Sequence, residues 1–183
     1  MSDDMRDYYK FYGIYTNDWL TTWGGDTFNH HLVKDWISEY CSTVTYTAWS
    51  AAGAKFIYPH NIKKKYYLEG VVEGEITFGN YVKSYVSDYR VNIIKINTDT
   101  TETVLATTGV INVNDMIAKD DAIVYHFWID CFNAKEISEY ERIGVFIEWD
   151  IIGHSSVTAR LLNGNRETGY AYDDVWVDIP FIL

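Results

Sequence analysis

The residues from Arg142 to Ile152 place an apolar side chain at every second position. A two-residue period puts these side chains on one face of an extended strand, while Arg142, Glu148 and Asp150 fall on the other face. The apolar set is Ile143, Val145, Ile147, Trp149 and Ile151. A segment of this kind must bury one face against a core, so the pattern predicts the central strand of a β-sheet protein.

Aromatic residues support this prediction. The 183 residues include 16 Tyr, 8 Phe and 7 Trp, against 3 Met and 2 Pro. Aromatic side chains pack well on a pleated surface, so the composition favours sheets over a helix bundle. The length predicts one domain that buries roughly two-thirds of its unfolded surface without needing a disulfide or a metal.

The charge of the chain restricts its partners. The formal net charge is −11, whereas nucleic-acid binding relies on Lys and Arg that displace counterions from phosphates. The basic run Lys63–Lys65 is interpreted as a solvated loop before a strand. No window approaches the roughly 18 consecutive apolar residues of a membrane span. We therefore expect neither a nucleic-acid nor a membrane partner.

Cysteine usage and the N-terminus indicate where the chain is made. Cys41 and Cys131 are too few for a disulfide framework. The opening Met-Ser-Asp-Asp lacks the basic and apolar parts of a secretory signal. Synthesis in a reducing cytoplasm is therefore expected.

Residues 1–43 differ from the rest of the chain. Their first part carries aromatic residues with neither a clean strand period nor a clean helix period, which predicts an arm that docks on a partner. The aromatic residues of this predicted arm are Tyr8, Tyr9, Phe11, Tyr12 and Tyr15. An ordinary first strand, or a flap over its own domain, is the alternative. Beyond Gly24-Gly25, apolar residues between Phe28 and Tyr40 recur near every fourth position, which predicts one short helix.

Residues 44–183 are predicted to form strands separated by turns. Gly70 and Gly74 indicate bends or bulges within a long strand, and a change of parity near Ile93 indicates another. Besides the central strand, the predicted strands are Val44–Trp49, Lys55–Tyr58, Tyr66–Phe78, Lys83–Ile96, Val104–Thr107, Ile123–Phe132, Val157–Leu162 and Val175–Leu183. Together they predict an all-β, antiparallel two-sheet sandwich of about eight strands, of jelly-roll type.

Motifs for catalysis and for cofactors are missing from the sequence. Neither a phosphate-binding glycine loop nor a serine nucleophile elbow is present. The adjacent pair His30-His31 lacks the spacing of a zinc site, and His126 is interpreted as a core or interface histidine. Carboxylates such as Glu73 are interpreted as solvated surface. The sequence therefore predicts no catalytic, cofactor-binding or metal-ligating residues.

Two tryptophans fall on strand faces opposite to the main apolar sets. Trp128 and Trp176 are therefore predicted to be exposed, and exposed aromatic groups mark interfaces. A subunit contact is the first interpretation. A carbohydrate-binding module, in which aromatic rings stack on sugars, is the alternative.

Four stretches resemble jelly-roll structural proteins from virions of tailed bacteriophages. They are Tyr89–Asp99 followed by Thr103–Leu105, then Glu141–Glu148, then Val175–Phe181. In that family a strand ends in a polar hairpin, a later strand begins with an acidic and a basic residue, and the chain closes on an Ile-Pro-Phe-like strand.

The resemblance implies a function without catalysis. The expectation is a non-enzymatic virion protein that decorates or cements a capsid, or belongs to a collar or tail, with the major capsid protein or other virion proteins as partners. It implies a homo-oligomer, with a trimer favoured, located in the virion. A glycan-binding module or a fibre component that attaches to host carbohydrate is the alternative.

Overall fold

A computed structural model describes residues 6–15, 21–23, 26–28, 30–33, 43–48, 52–60, 62–79, 86–112, 114, 117–119, 122–151, 157–162 and 176–182. In these ranges it contains fifteen strands, five of which have only two to four residues. They are β1 (Arg6–Tyr15), β2 (Thr21–Trp23), β3 (Asp26–Phe28), β4 (His30–Val33), β5 (Thr43–Ala48), β6 (Ala52–Ile57), β7 (Tyr66–Gly79), β8 (Val86–Ile96), β9 (Glu102–Thr107), β10 (Ile111–Asn112), β11 (Ile117–Lys119), β12 (Ala122–Ile137), β13 (Arg142–Ile151), β14 (Val157–Leu162) and β15 (Trp176–Ile182).

The strand β13 is internal, as the alternating sequence predicts. It forms antiparallel ladders with β6 on one side and with β8 on the other. Ile143, Val145 and Ile147 are buried on its inward face, because the pleat sends alternate side chains to the same side. Its role as a central strand is confirmed.

The strands form two layers. The order β10-β8-β13-β6, with β9 beside β8, makes one layer, and β1-β15-β7-β12-β11 makes the other. The short strand β4 joins them, since it pairs in parallel with β6 and antiparallel with β1. Side chains from both layers, such as Ile147 and Phe127, belong to one buried cluster. The layers therefore face each other across a shared core, and the predicted all-β antiparallel sandwich is confirmed.

The longest ladder joins β7 and β12, and its two faces differ as predicted. On β7, Leu68, Val72 and Ile76 are buried, whereas Val71 is exposed and Glu73 is half-buried. The register shifts just after the pair Cys131 and Gly70, where Gly70 has a φ of 128°. This backbone conformation suits glycine, and it confirms the predicted irregularity at Gly70.

A second irregularity lies where the sequence changes parity. The register between β8 and β9 shifts between Ile93 and Ile94. Both residues are buried, although their side chains point to opposite sides of β8 and belong to different buried clusters. The extra residue lies on β9, where Leu105 stands between Val104 and Ala106, whereas β8 pairs with β13 without a register shift across Ile93 and Ile94. The predicted bulge in β8 is therefore wrong, and the apolar residues change parity near Ile93 because both faces of β8 are buried.

The N-terminal segment departs from the expected arm. The strand β1 lies between β15 and β4, with Arg6 to Tyr12 paired along β15. Its backbone hydrogen bonds are made inside the sheet, so residues 6–15 are an integral strand and do not project as an arm. The alternative of an ordinary first strand describes this segment correctly.

The predicted helix between residues 28 and 40 is also replaced by strands where the chain is described. Phe28 ends β3, and Leu32 and Val33 belong to β4. Leu32 is buried in the core while β4 pairs with β1, because sheet pairing can override a local helical period. The remaining residues of that prediction, Trp36, Ile37 and Tyr40, lie outside the described ranges.

Candidate functional site

The outward surface of β7, β12 and β15 gathers aromatic and acidic side chains. Trp128 of β12 is opposite Glu73 of β7, and His126 is opposite Glu75. On the other side of β7, Trp176 of β15 is opposite Glu75. We call this surface the Trp128 face, and its members are Glu73, Glu75, His126, Trp128, Asp130 and Trp176.

His126 is the centre of the Trp128 face. Its Nε2 lies 2.9 Å from Glu73 Oε1, and because a carboxylate accepts hydrogen bonds, the imidazole N–H donates. The imidazole stacks on the Trp128 indole with ring centroids 4.7 Å apart and planes inclined by 14°. Trp176 meets the same imidazole edge-on at 5.5 Å. Residues from all three strands thus hold the ring in place.

The face is open to solvent although it carries large apolar groups. Trp128 is 61% exposed, and Val71, which is opposite Asp130 on β7, is 36% exposed. At the alternate positions of β12, Phe127, Ile129 and Cys131 point inward and are buried. Uncovered aromatic groups beside polar ones are typical of a surface that contacts another molecule.

The two tryptophans singled out from the sequence fall on one face. Trp128 is exposed as predicted, whereas Trp176 is half-buried. His126 contacts both indoles, so the structure joins two candidates that are far apart in sequence. Their contact with a partner stays a prediction.

The structure describes the side chain of only one aromatic residue of the predicted arm, Phe11. Phe11 is 2% exposed and packs edge-on against Tyr58 with ring centroids 5.4 Å apart. It is a core residue, so its predicted partner contact is wrong. Tyr12 is opposite Trp176 in the β1–β15 register and Tyr8 is opposite Pro180. The side chains of the four predicted tyrosines, Tyr8, Tyr9, Tyr12 and Tyr15, lie outside the described part of the structure.

The sequence prediction missed the pairing of His126 with Glu73. His126 was expected in the core or at an interface and Glu73 on a solvated surface, but both are half-exposed and hydrogen-bonded to each other. A signal was present, since each occupies an outward position of an alternating strand. The alternation along each strand does not show that β7 and β12 are neighbours.

The chemistry available on the Trp128 face is limited. Acyl transfer by a side chain needs a nucleophile within hydrogen-bond reach of a base. Among the described hydrogen bonds, no Ser, Thr or Cys side chain is joined to a histidine. The described residues also contain no group of three or more His, Cys, Asp or Glu placed to hold a metal ion. The face can bind and orient, but its described residues do not form a nucleophile–base pair.

The described ranges contain no helix with the length and apolar character needed to cross a membrane.

No protein-family model matches the sequence, and no curated protein matches it either. Solved structures do share its fold. A CocE/NonD family hydrolase from Staphylococcus aureus superposes with a TM-score of 0.64 over 97% of this chain at 13% identity. An α-amino acid ester hydrolase gives a TM-score of 0.61 over 93% at 9% identity. An aminopeptidase from a Thaumarchaeota archaeon of marine sediment gives 0.59 over 94% at 10% identity.

The match covers nearly all of this chain but a minor part of each neighbour. The chain spans 37%, 36% and 37% of those three proteins. The larger part of each hydrolase therefore has no counterpart in these 183 residues. At such low identities, the likeness establishes a shared β-sandwich fold.

The comparison overturns the resemblance to phage virion proteins. The solved structures described above are hydrolases and not phage structural proteins. The prediction of a non-enzymatic, capsid-decorating protein, with its glycan-binding or fibre alternative, is wrong for the same reason. It rested on strand and turn patterns, which many unrelated sandwiches share. The predicted homo-oligomer, the other partners and the virion location are not tested by these matches.

Proposed function

We propose that the chain is the β-sandwich part of a hydrolase that cleaves ester or amide bonds. The observation that carries the proposal is the coverage: 93–98% of the chain superposes on 36–37% of three kinds of hydrolase. The names of these neighbours refer to an ester hydrolase and an aminopeptidase. Esters and peptides both contain a carbonyl carbon at which hydrolysis takes place. Hydrolysis of an ester releases an alcohol, and hydrolysis of a peptide bond releases an amine.

In this proposal the catalytic nucleophile comes from outside the described residues. The described residues pair His126 with Glu73 but place no nucleophile within reach of the imidazole, so this pair does not form an acyl-transfer triad. A second body, either in the same polypeptide or in a bound one, supplies the reacting groups. The sandwich provides a rigid surface on which that body is held.

The test compares two preparations of the protein. The first is the assembly isolated through an affinity tag on the chain, from the cells that naturally make it. The second is the 183-residue chain produced alone. Each is assayed for release of p-nitrophenol from p-nitrophenyl acetate and of p-nitroaniline from alanine p-nitroanilide.

We expect the isolated assembly to hydrolyse at least one of these substrates well above an untagged control, while the chain alone stays at background. An assembly that hydrolyses neither these two compounds nor longer-chain p-nitrophenyl esters contradicts the proposal. Hydrolysis by the chain alone would place the nucleophile within the 183 residues and overturn the assignment of catalysis to a second body.

A further inference from the structure

The Trp128 face has the apolar content of a protein interface. Trp128 is one of the largest exposed hydrophobic side chains of the described residues, and the exposed Val71 lies on the neighbouring strand β7. Val71 is opposite Asp130, two positions from Trp128. Tryptophan is enriched among residues that dominate binding energy, especially where a polar rim surrounds it.

Trp128 is also preorganised. Its stacking on His126, which Glu73 hydrogen-bonds in turn, restricts the indole before any partner arrives. A side chain that is already ordered loses less conformational entropy on binding. This arrangement favours Trp128 as the anchor of a contact.

The shape of the face points to a macromolecule. It is the outer surface of three adjacent strands, β15, β7 and β12. Small-molecule sites are concave and enclose most of their ligand, whereas an open sheet surface suits a protein partner of comparable width.

The negative charge of the Trp128 face favours a partner protein with basic side chains. Glu73, Glu75, Asp130 and the adjacent Asp178 of β15 are all acidic, within a chain of net charge −11. Two copies meeting through this face would bring like charges together at a cost in affinity. A partner with Lys and Arg side chains around an apolar pocket is complementary to it.

We infer that the Trp128 face is the surface on which the catalytic body of the hydrolase docks. The Trp128 indole enters an apolar pocket of that body, and the surrounding carboxylates meet its basic side chains. The inference rests on the proposed function, because the second body is proposed from the hydrolases that share the fold, of which this chain spans only 37% and 36%. It goes further by assigning the contact to three strands and one anchoring residue.

Zero-length cross-linking tests the inference. A water-soluble carbodiimide joins carboxylates to lysines that touch them, so the isolated assembly is treated with it and the linked peptides are identified by mass spectrometry. We expect Glu73, Glu75 or Asp130 to be linked to lysines outside residues 1–183, in the polypeptide that carries the hydrolase activity.

Two face variants and two matched controls extend the test. Trp128→Ala removes the anchor and Asp130→Lys reverses a charge on the face. Val104→Ala and Glu139→Lys make comparable changes at exposed positions, on β9 of the opposite layer and in the turn before β13. Far-UV circular dichroism checks that all four variants fold. We expect each face variant to reduce the cross-links at least tenfold, and each control to leave them within twofold of the wild type.

The results separate the two proposals. If the assembly hydrolyses the substrates but the face carboxylates are not linked, or the face variants behave like the controls, the docking assignment is overturned while the proposed function stands. Links between the face and residues 1–183 of a second copy also overturn it. An assembly without hydrolase activity overturns the proposed function, whatever the cross-links show.

Discussion

The ring of Phe127 lies directly over the backbone of Gly74, so closely that a Cβ at that position would be 2.8 Å from the Phe127 Cε1 atom. The same Cβ would be 2.6 Å from the carbonyl oxygen of Trp176. Gly74 therefore lets β7, β12 and β15 approach one another under the Trp128 face. The residues that flank it, Glu73 and Glu75, point to that face.

Replacing Gly74 with alanine should destabilise the protein. Because backbone and a buried ring surround the site, the added methyl group causes overpacking worth about 1–3 kcal/mol of unfolding free energy. Urea denaturation measures the loss. Val71→Ala, at an exposed position of the same strand, serves as the control and should change the unfolding free energy by less than about 0.5 kcal/mol. Equal effects at the two positions would show that the close approach is relieved easily.

The stacking of His126 on Trp128 should appear as a coupling energy. Aromatic pairs contribute about 0.5–1.5 kcal/mol beyond the area they bury, and the exposure of Trp128 favours the lower end. A double-mutant cycle of His126→Ala, Trp128→Ala and the double variant, followed by urea denaturation, isolates this interaction. We expect a coupling of about 0.5–1 kcal/mol. Strictly additive effects would mean that the two rings do not stabilise each other in solution.

Several strand positions could be predicted from the sequence because burial alternates along strands that have one face on the core. For β13 and β7, one inward face requires an apolar residue at every second position, whereas on β8 the buried Ile93 and Ile94 lie on opposite faces and break this alternation. The segment β1 escaped the same argument, because Tyr8, Tyr9, Phe11 and Tyr12 put aromatic rings at both parities.

The candidate site could not be predicted, because it depends on which strands are neighbours. Glu73 and His126 are 53 residues apart in the chain, and alternation along a strand carries no information about its partners. Only the exposed position of Trp128 followed from the sequence. The functional prediction was wrong because turns and strand ends report the fold, whereas function resides in side-chain arrangements.

Glu141 should contribute more to stability than its neighbour Glu136. Glu141 accepts hydrogen bonds from Lys95 Nζ at 3.0 Å and from the backbone N–H of Ser138 at 2.7 Å, with Lys95 and Glu141 side chains 17% and 11% exposed. Replacing Glu141 with glutamine leaves a largely buried ammonium without its counter-charge, so we expect a loss of about 1–3 kcal/mol in urea denaturation.

The pair Lys65 and Glu136 is the matched comparison for this experiment. Its nitrogen–oxygen distance is 3.2 Å, but its side chains are 53% and 44% exposed. Water screens such a pair, so Glu136→Gln should destabilise the protein much less than Glu141→Gln. A larger loss at Glu136 than at Glu141 would contradict the assignment of the buried pair as the stabilising one.

Thr100 is a site at which a substitution should stabilise the protein. It lies in the hairpin between β8 and β9 with a φ of 71°, a left-handed conformation that is unfavourable for a β-branched residue. Thr100→Gly relieves this strain, and we expect a gain of about 0.5–1 kcal/mol, measured as a higher melting temperature. Thr98→Gly, two residues earlier in the same connection, is the control and should not stabilise, because Thr98 has no positive φ to relieve.

Cys131 should make stability depend on pH in the alkaline range. Burial raises the pKa of the Cys131 thiol above its ordinary value of 9.0, with the nearby Lys135 acting in the opposite direction. In the unfolded chain the thiol ionises near pH 9.0, whereas in the folded protein it stays protonated to a higher pH. Its contribution to stability is therefore fully present below pH 9.0 and is lost as pH rises towards the folded pKa, with a slope of at most about 1.4 kcal/mol per pH unit. Urea denaturation at intervals from pH 8 to pH 10.5 measures this slope for the wild type and for Cys131→Ala.

Burial also raises the pKa of Tyr58, so both proteins should lose stability as the pH rises. The Cys131 thiol accounts for the difference between their two slopes. If the two slopes are the same, the Cys131 thiol is not held in its neutral form by the fold.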